Sequence, residues 1–382
     1  MMKTKLGIGV IGCGNISAAY FTLIPLFNGI EVVACADINP SAAAARASKF
    51  GVRAETVDEL LAASDVDIVL NLTIPAVHYQ ITLQALVAGK HVYSEKPYVL
   101  SVDEGLELTK VAKDRGLRIG SAPDTFLGGA HQLVRNLIDE GAVGIISGGT
   151  CHVMSAGMED WHPNPDFFFK SGAGPVLDLG PYYISNLVQL LGPVARVGAL
   201  TSIPTPLRTI TSKPRHGEKI EVTTPTTIHA ILEFASGAII TLSASWDVKV
   251  HGHLPMELYG SNGSLFVPDP NFFGGEVGLF DAAGKRVDLP EWPHPFSAPN
   301  QEDNGVMLAN YRASGLADMA QAIRDDRPHR CSGEFALHVV EVMTAILKSG
   351  ETGDFVRLET DCARPEALGV DAAGRLLRQS AG

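Results

Sequence analysis

Gly12-Cys13-Gly14-Asn15-Ile16-Ser17 follows a short apolar run and precedes an apolar pattern of helical spacing, so it reads as G-x-G-x-x-G with serine at the third glycine. Glycine at 12 permits a tight turn. Glycine at 14 lets the backbone approach a pyrophosphate, which would sit on exposed amides around Asn15 and Ile16 at the start of a helix. The serine is a mild departure, since the third position needs only a small side chain. Asp37 stands 25 positions after Gly12, at the end of the next apolar run, where a carboxylate can accept hydrogen bonds from an adenosine ribose diol. A carboxylate there repels a 2′-phosphate, and Ile38 and Asn39 supply no cation to attract one, so NAD is expected rather than NADP. Two plainer readings stay open: the glycines also suit a ligand-free strand–helix turn, and Asp37 also suits a turn or cap ahead of Pro40.

The elements that must carry these residues show in the hydrophobic pattern. From Lys5 to about Ala122 short apolar runs alternate with helical patterns, as in parallel strands joined by crossover helices. Strands are expected at Leu6–Ile11, Glu31–Ala36, Asp67–Thr73, His91–Ser94 and Arg118–Ser121. Ser101 and Glu104 form a capping box for one helix, with Gly116 as its left-handed stop. This is a doubly wound, Rossmann-type α/β sheet. Beyond Pro123 a helix near His131–Glu140 gives way to β-rich stretches. Thr227–Phe234 and Ala238–Trp246 read as one hairpin, Met256–Tyr259 and Ser264–Val267 as another, so an antiparallel or mixed sheet is expected. Helices near Tyr311–Arg324 and Gly333–Ser349 are expected to close this second domain. Pro204–Pro225, with four prolines, reads as an excursion loop. The expected division is 1–123 for dinucleotide binding and 124–382 for substrate binding and oligomerisation.

Composition sets the outer limits. A chain of 382 residues is long enough for two cores, because single cores usually stop growing at roughly 250–300 residues. A net charge of −12 repels phosphates and anionic bilayers, which excludes nucleic acid and membranes as natural non-specific partners. Cys13, Cys35, Cys151, Cys331 and Cys362 are odd in number and form no CxxC pair, which favours a reducing cytoplasm over a disulfide framework. No apolar stretch approaches the ~20 residues that span a bilayer.

Three further runs follow the glycine loop in order: Thr73-Ile74-Pro75-Ala76-Val77-His78, Ala88-Gly89-Lys90-His91-Val92-Tyr93-Ser94-Glu95-Lys96-Pro97, and Gly172-Ala173-Gly174-Pro175-Val176-Leu177-Asp178-Leu179-Gly180. Together they closely resemble the glucose–fructose oxidoreductase, inositol dehydrogenase and rhizopine-catabolism (Gfo/Idh/MocA) family over nearly the whole chain. The resemblance implies a Rossmann domain followed by an α/β domain with a large, open, mostly antiparallel sheet, through which homodimers or homotetramers form. It implies that Thr73, Pro75 and His78 belong to a segment wrapping the dinucleotide, that Glu95 helps hold the nicotinamide end, and that Lys96 lies at the carboxyl end of a strand.

Oxidising a secondary alcohol requires a hydride acceptor, a base for the hydroxyl proton, and charge to stabilise the developing oxyanion. Lys96 can supply that charge. Many relatives carry Asp-x-Gly-x-His with the histidine as acid/base, whereas this chain has Asp178-Leu179-Gly180-Pro181-Tyr182. A phenol titrates near pH 10 when unperturbed and needs help from neighbours such as Lys96 to act as a base, so Tyr182 either transfers the proton or orients substrate. Asp124, Trp161, His162 and Lys170 lie where the family's substrate loops fall and suit a polyhydroxylated ligand, although Trp161 and Phe167–Phe169 equally suit a core. His152 and His162 with Cys151 or Asp160 match no recognised metal spacing, and no metal is expected. The expected activity is NAD-dependent hydride transfer at a hydroxyl or carbonyl carbon of a sugar, cyclitol or related polyol. A glycosidase using NAD transiently and a catalytically silent NAD-binding sensor are the alternatives.

Overall fold

The computed structural model describes residues 5–303 and 305–378, and the chain divides into two compact units. The first comprises Met1–Gly129, Trp292–Val340 and Pro365–Gly382; the second comprises Ala130–Glu291 and Glu341–Arg364.

The first unit is built on β1 (Leu6–Ile11), β2 (Ile30–Ala36), β3 (Arg53–Ala54), β4 (Ile68–Asn71), β5 (His91–Ser94) and β6 (Ile119–Ser121). They form a parallel sheet in the order β3-β2-β1-β4-β5-β6. The order reverses between β1 and β4, and ligands of such sheets bind beyond the carboxyl ends of the strands at that switch. Its crossover helices are α1 (Ser17–Leu23), α2 (Pro40–Phe50), α3 (Val57–Ala62), α4 (His78–Val87) and α5 (Val102–Asp114). Every residue of β1 and β4 is buried, as strands covered on both faces must be. The sequence pattern matches β1 and β5 residue for residue. β3 is too short to leave a pattern, and β4 ends earlier than expected because the amide and hydroxyl of Thr73 both turn back onto Asn71 Oδ1. At α5, Ser101 accepts the Glu104 amide as expected, while the Glu104 carboxylate accepts from the Leu100 amide; Gly116 closes the helix at φ 65°.

The second unit carries α6 (Gly129–Asp139, whose first residue belongs to the other unit), β7 (Ile146–Met154), α7 (Pro175–Asp178), α8 (Gly180–Leu191), β8 (Val194–Ser202), β9 (Leu207–Thr209), β10 (Lys219–Glu221), β11 (Thr227–Phe234), β12 (Ile239–Ser245), β13 (Met256–Gly260), β14 (Gly263–Val267) and β15 (Gly278–Asp281). An eight-stranded sheet runs β15-β14-β13-β7-β12-β11-β8, with Val356–Arg357 outermost. Only β7 and β12 pair in parallel, so the sheet is open and mostly antiparallel, and α8 is buried along its whole length.

The expected excursion loop is more ordered than its prolines suggest. β9 and β10 form a ribbon over a core of Met158, Phe169, Ile210, Ile220, Val222 and Trp246. Arg208 is buried against it, bonded to Glu159, Asp247 and the Trp246 carbonyl, with its guanidinium over the Phe169 ring.

The chain path also departs from a single division at 123/124. Trp292–Val340, which includes α9 (Ser314–Asp325), joins the first unit instead of closing the second. The reason lies at the open edge of the parallel sheet. The Ser121 amide donates to the Cys331 carbonyl, Gly120 bridges Ser332, and the His329 ring reaches the Ile119 carbonyl, so the returning segment covers the exposed strand edge at β6.

Candidate active site

Gly12 ends β1 at φ 102°, and its amide donates to the Ala36 carbonyl. A Cβ at this position would lie 2.6 Å from the Leu72 carbonyl carbon and oxygen and 2.8 Å from the Thr73 nitrogen. Conformation and close approach therefore both demand glycine, and the approach sets the loop against the Thr73 segment. Gly14 is different: a Cβ there would meet nothing within 4 Å. The protein's own packing leaves that space clear, which suits a dinucleotide brought close to the backbone. Ser17, at the third-glycine position, is buried and satisfies its hydroxyl on the Gly14 carbonyl at 2.6 Å.

Asp37 follows β2 and accepts from the Cys13 amide at 2.7 Å and the Asn39 amide at 2.8 Å. The cap of α2 is Asn39, which accepts from Ser41. The carboxylate thus ties the glycine loop to the strand end, its bond to the Asn39 amide is the turn role the sequence allowed for it, and the cap of α2 falls to Asn39, two residues on. Arg46, on α2, donates to the Gly14 carbonyl at 3.0 Å and the Cys13 carbonyl at 3.4 Å. No sequence pattern singles out this arginine, since its contact depends on α2 packing beside the loop.

Asn71 anchors the Thr73 turn, and Pro75 begins an exposed helical turn beyond it. His78 is buried, with its ring nitrogens 2.8 Å from the Pro97 carbonyl and 3.0 Å from the Thr73 carbonyl. It braces the Thr73 and Lys96-Pro97 segments against each other. Glu95 is buried at the end of β5, where Oε1 accepts from the Tyr20 hydroxyl at 2.9 Å and from Arg312 at 3.1 Å, and Oε2 from the Lys96 amide at 2.9 Å. Burial pushes the Glu95 carboxyl up, but Arg312, Lys96, the Lys96 amide and the Tyr20 hydroxyl outweigh it and hold the group below the usual carboxylate range. Asp124 is also buried in this unit, accepting from the Ser314 hydroxyl and the Gly315 amide, and burial raises its carboxyl.

Asp178 and Tyr182 lie in the second unit, on α7 and α8, which are separated only by Leu179 in a helical conformation. At a spacing of four they share a helical face. Tyr182 is buried and Asp178 half-buried. The neighbouring Tyr183 hydroxyl donates to Asp269 at 2.8 Å, and burial followed by that carboxylate pushes the phenol far up. Lys170 donates to the Glu221 carbonyl at 2.9 Å. Trp161 is exposed, with the His162 ring edge-on at 5.4 Å, and Phe167 is exposed beside Phe168, whereas Phe169 is core. Of the aromatic run, Phe169 takes the core place that the sequence allowed for it. Gly12, Gly14, Asn15, Ile16, Asp37, Thr73, Pro75, His78, Glu95, Lys96 and Asp124 belong to the first unit; Trp161, His162, Lys170, Asp178 and Tyr182 belong to the second.

A doubly wound sheet whose switch-point loop leaves open space at Gly14, with Asp37 at the neighbouring strand end, is a dinucleotide-binding Rossmann domain. The family comparisons agree. The model described as "Oxidoreductase family, NAD-binding Rossmann fold" matches residues 6–122, and the GFO/IDH/MocA C-terminal domain matches residues 131–266. The chain belongs to the Gfo/Idh/MocA oxidoreductase family. It is 27% identical over 290 residues to levoglucosan dehydrogenase of Pseudarthrobacter phenanthrenivorans, covering 68% of this chain and 73% of that protein. It is 26% identical to inositol 2-dehydrogenase of Ralstonia nicotianae over 301 residues, 77% of this chain and 82% of that one. Its fold is similar to that of an NAD-binding oxidoreductase from Klebsiella pneumoniae, with a TM-score of 0.80, 23% identity, and coverage of 94% of this chain and all of that one.

Proposed function

We propose that this protein oxidises a secondary hydroxyl of a sugar, cyclitol or related polyol to the carbonyl, reversibly, with NAD. The observation that carries the cofactor side is the pairing of the clear space at Gly14 with a carboxylate at the end of β2. The substrate class is supported by the levoglucosan and inositol dehydrogenases to which the chain is similar. Bound NAD supplies the hydride acceptor. The residues supply the rest: Lys96 stabilises the negative charge on the reacting oxygen, while Asp178 and Tyr182, one turn apart, orient the hydroxyl and pass its proton on to solvent. Trp161, His162 and Lys170 belong to the substrate-binding unit in this reading, as Thr73, Pro75 and Glu95 belong to the cofactor side. Asp124 serves at one remove, by holding the first residues of α9.

We further infer a homodimer or homotetramer formed through the large sheet, because Leu200, Ile231, Ile239 and Tyr259 are exposed on its strands. Five free, buried cysteines suit a reducing cytoplasm. Light scattering of the purified protein tests the assembly, and a monomer at micromolar concentration would refute it.

The activity is tested by following NADH formation across aldoses, inositols, amino sugars and glycosides. Lys96→Ala is expected to abolish turnover on any active substrate while leaving NADH affinity within about tenfold, because the proposed work of the lysine falls in the transition state. Near-normal kcat in that variant would remove Lys96 from the chemistry.

A further inference from the structure

We propose that Arg312 is a positioning residue for the nicotinamide side of the site, acting through Glu95 to hold that carboxylate aimed at the Lys96 amide. The inference rests on the NAD-dependent reading above and deepens it.

Three donors fix both oxygens of Glu95: Arg312 and Tyr20 on Oε1, the Lys96 amide on Oε2. The Arg312 guanidinium also lies over the Tyr20 ring, 5.8 Å from its centroid, so the arginine is held from two sides. The titratable groups around this carboxylate are Tyr20 from α1, Lys96 from the end of β5, Arg312 from the turn before α9, and Asp124 beyond β6. Arg312 and Lys96 favour the charged form through their own charge and Tyr20 through its hydrogen bond, whereas Asp124 opposes it. Without Arg312, burial and Asp124 act on Glu95 with less to oppose them, so its carboxyl moves up and a protonated oxygen turns from acceptor to donor.

The turn that presents Arg312 has unusual construction. Ala313 adopts φ 82°, a left-handed conformation that carries a steric cost for any residue with a Cβ. An ordinary helix start would place a serine or aspartate there in an extended conformation. Instead, the buried Asp124 reaches in from β6 to accept from the Ser314 hydroxyl at 3.3 Å and the Gly315 amide at 3.1 Å, and Asn310 accepts from the Arg312 amide. Gly315 packs so closely that a Cβ would stand 2.3 Å from the Tyr93 hydroxyl. A strained turn clamped by a buried carboxylate, immediately after the arginine that meets Glu95, is what accurate placement of that arginine requires.

The test is NADH titration by fluorescence on the full-length protein and on Arg312→Met, Arg312→Lys, Glu95→Gln and the Glu95→Gln/Arg312→Met double variant, with circular dichroism as the check on folding. Arg312→Met is expected to weaken NADH binding about tenfold or more at about pH 6 and less at about pH 8, with the wild type level between them. Arg312→Lys should recover most of the loss, and the double variant should match Glu95→Gln. A folded Arg312→Met protein binding within about twofold of wild type at both pH values would overturn the inference. So would additive losses in the double variant, since Arg312 would then act independently of Glu95. Should Arg312→Met not fold, the comparison of the double variant with Glu95→Gln decides alone, because removing both partners leaves neither half of the Glu95–Arg312 pair buried without the other. A wild-type protein with no NADH binding would overturn the parent reading and this one with it; wild-type binding with an indifferent Arg312→Met overturns only this one.

Discussion

The carboxylate of Asp37 accepts the amide hydrogen of Cys13 at 2.7 Å, so a single side chain both places a charge at the end of β2 and ties that strand end to the glycine loop. Changing cofactor preference through this residue therefore has a structural cost as well as an electrostatic effect. Ile38 beside it is fully exposed and leaves room for a cation. Asp37→Ser combined with Ile38→Arg is expected to raise the NADP-to-NAD affinity ratio by roughly 10–100-fold, the worth of one charge-assisted hydrogen bond, while weakening both dinucleotides. Paired titrations read the ratio. Equal or tighter NADP binding by the unmodified protein would remove Asp37 as the selector.

Tyr182 stands one helical turn from Asp178, buried on α8. Tyr182→Phe is expected to lower kcat by roughly 10²–10⁴-fold with little change in KM, and to alter the basic limb of the pH profile. If KM rises instead and the pH profile keeps its shape, the tyrosine orients substrate and Lys96 handles the proton.

Arg208 is only 5% exposed and pairs with Glu159 at 2.6 Å and with Asp247. Arg208→Met strands two carboxylates against an apolar core, so a loss of about 3–5 kcal/mol is expected in urea denaturation. The β9–β10 ribbon should become the first region to exchange its amide hydrogens. A loss below about 1 kcal/mol would show that the cluster is screened by water and contributes little.

Acid should weaken the fold over a defined range. His131 is buried, with Nε2 on the Phe272 carbonyl and Nδ1 facing the Asn186 amide, an arrangement that needs a neutral ring protonated at Nε2. Burial pushes its pKa down to about 4, and burial does the same to His294, also to about 4. An unfolded histidine titrates near 6.5, so between about pH 6.5 and about pH 4 the unfolded chain binds more protons, and stability falls as pH falls. Urea midpoints should be level with respect to these groups above about pH 6.5 and drop below it, and His131→Gln should flatten part of that slope. An unchanged slope in the variant would exclude His131 as a contributor.

What the sequence alone determined is what short-range physics encodes. The bounds of β1 and β5, the need for glycine at 12, the α5 cap at Ser101 and the place of Asp37 at a strand end all follow from apolar periodicity, backbone conformation and neighbours within a few residues. Only the tertiary structure decided where the long segments return. It brought Asp124 to Ser314 across 190 residues and Arg312 to Glu95 across 217, and drew Trp292–Val340 onto the edge of the parallel sheet. It also gave the proline-rich excursion a core of its own and put Arg46 on the glycine loop. Periodicity records which face of an element is apolar, but a buried charge is held by whichever opposite charge or backbone group the chain path carries to it, and that path is settled only when distant segments pack together.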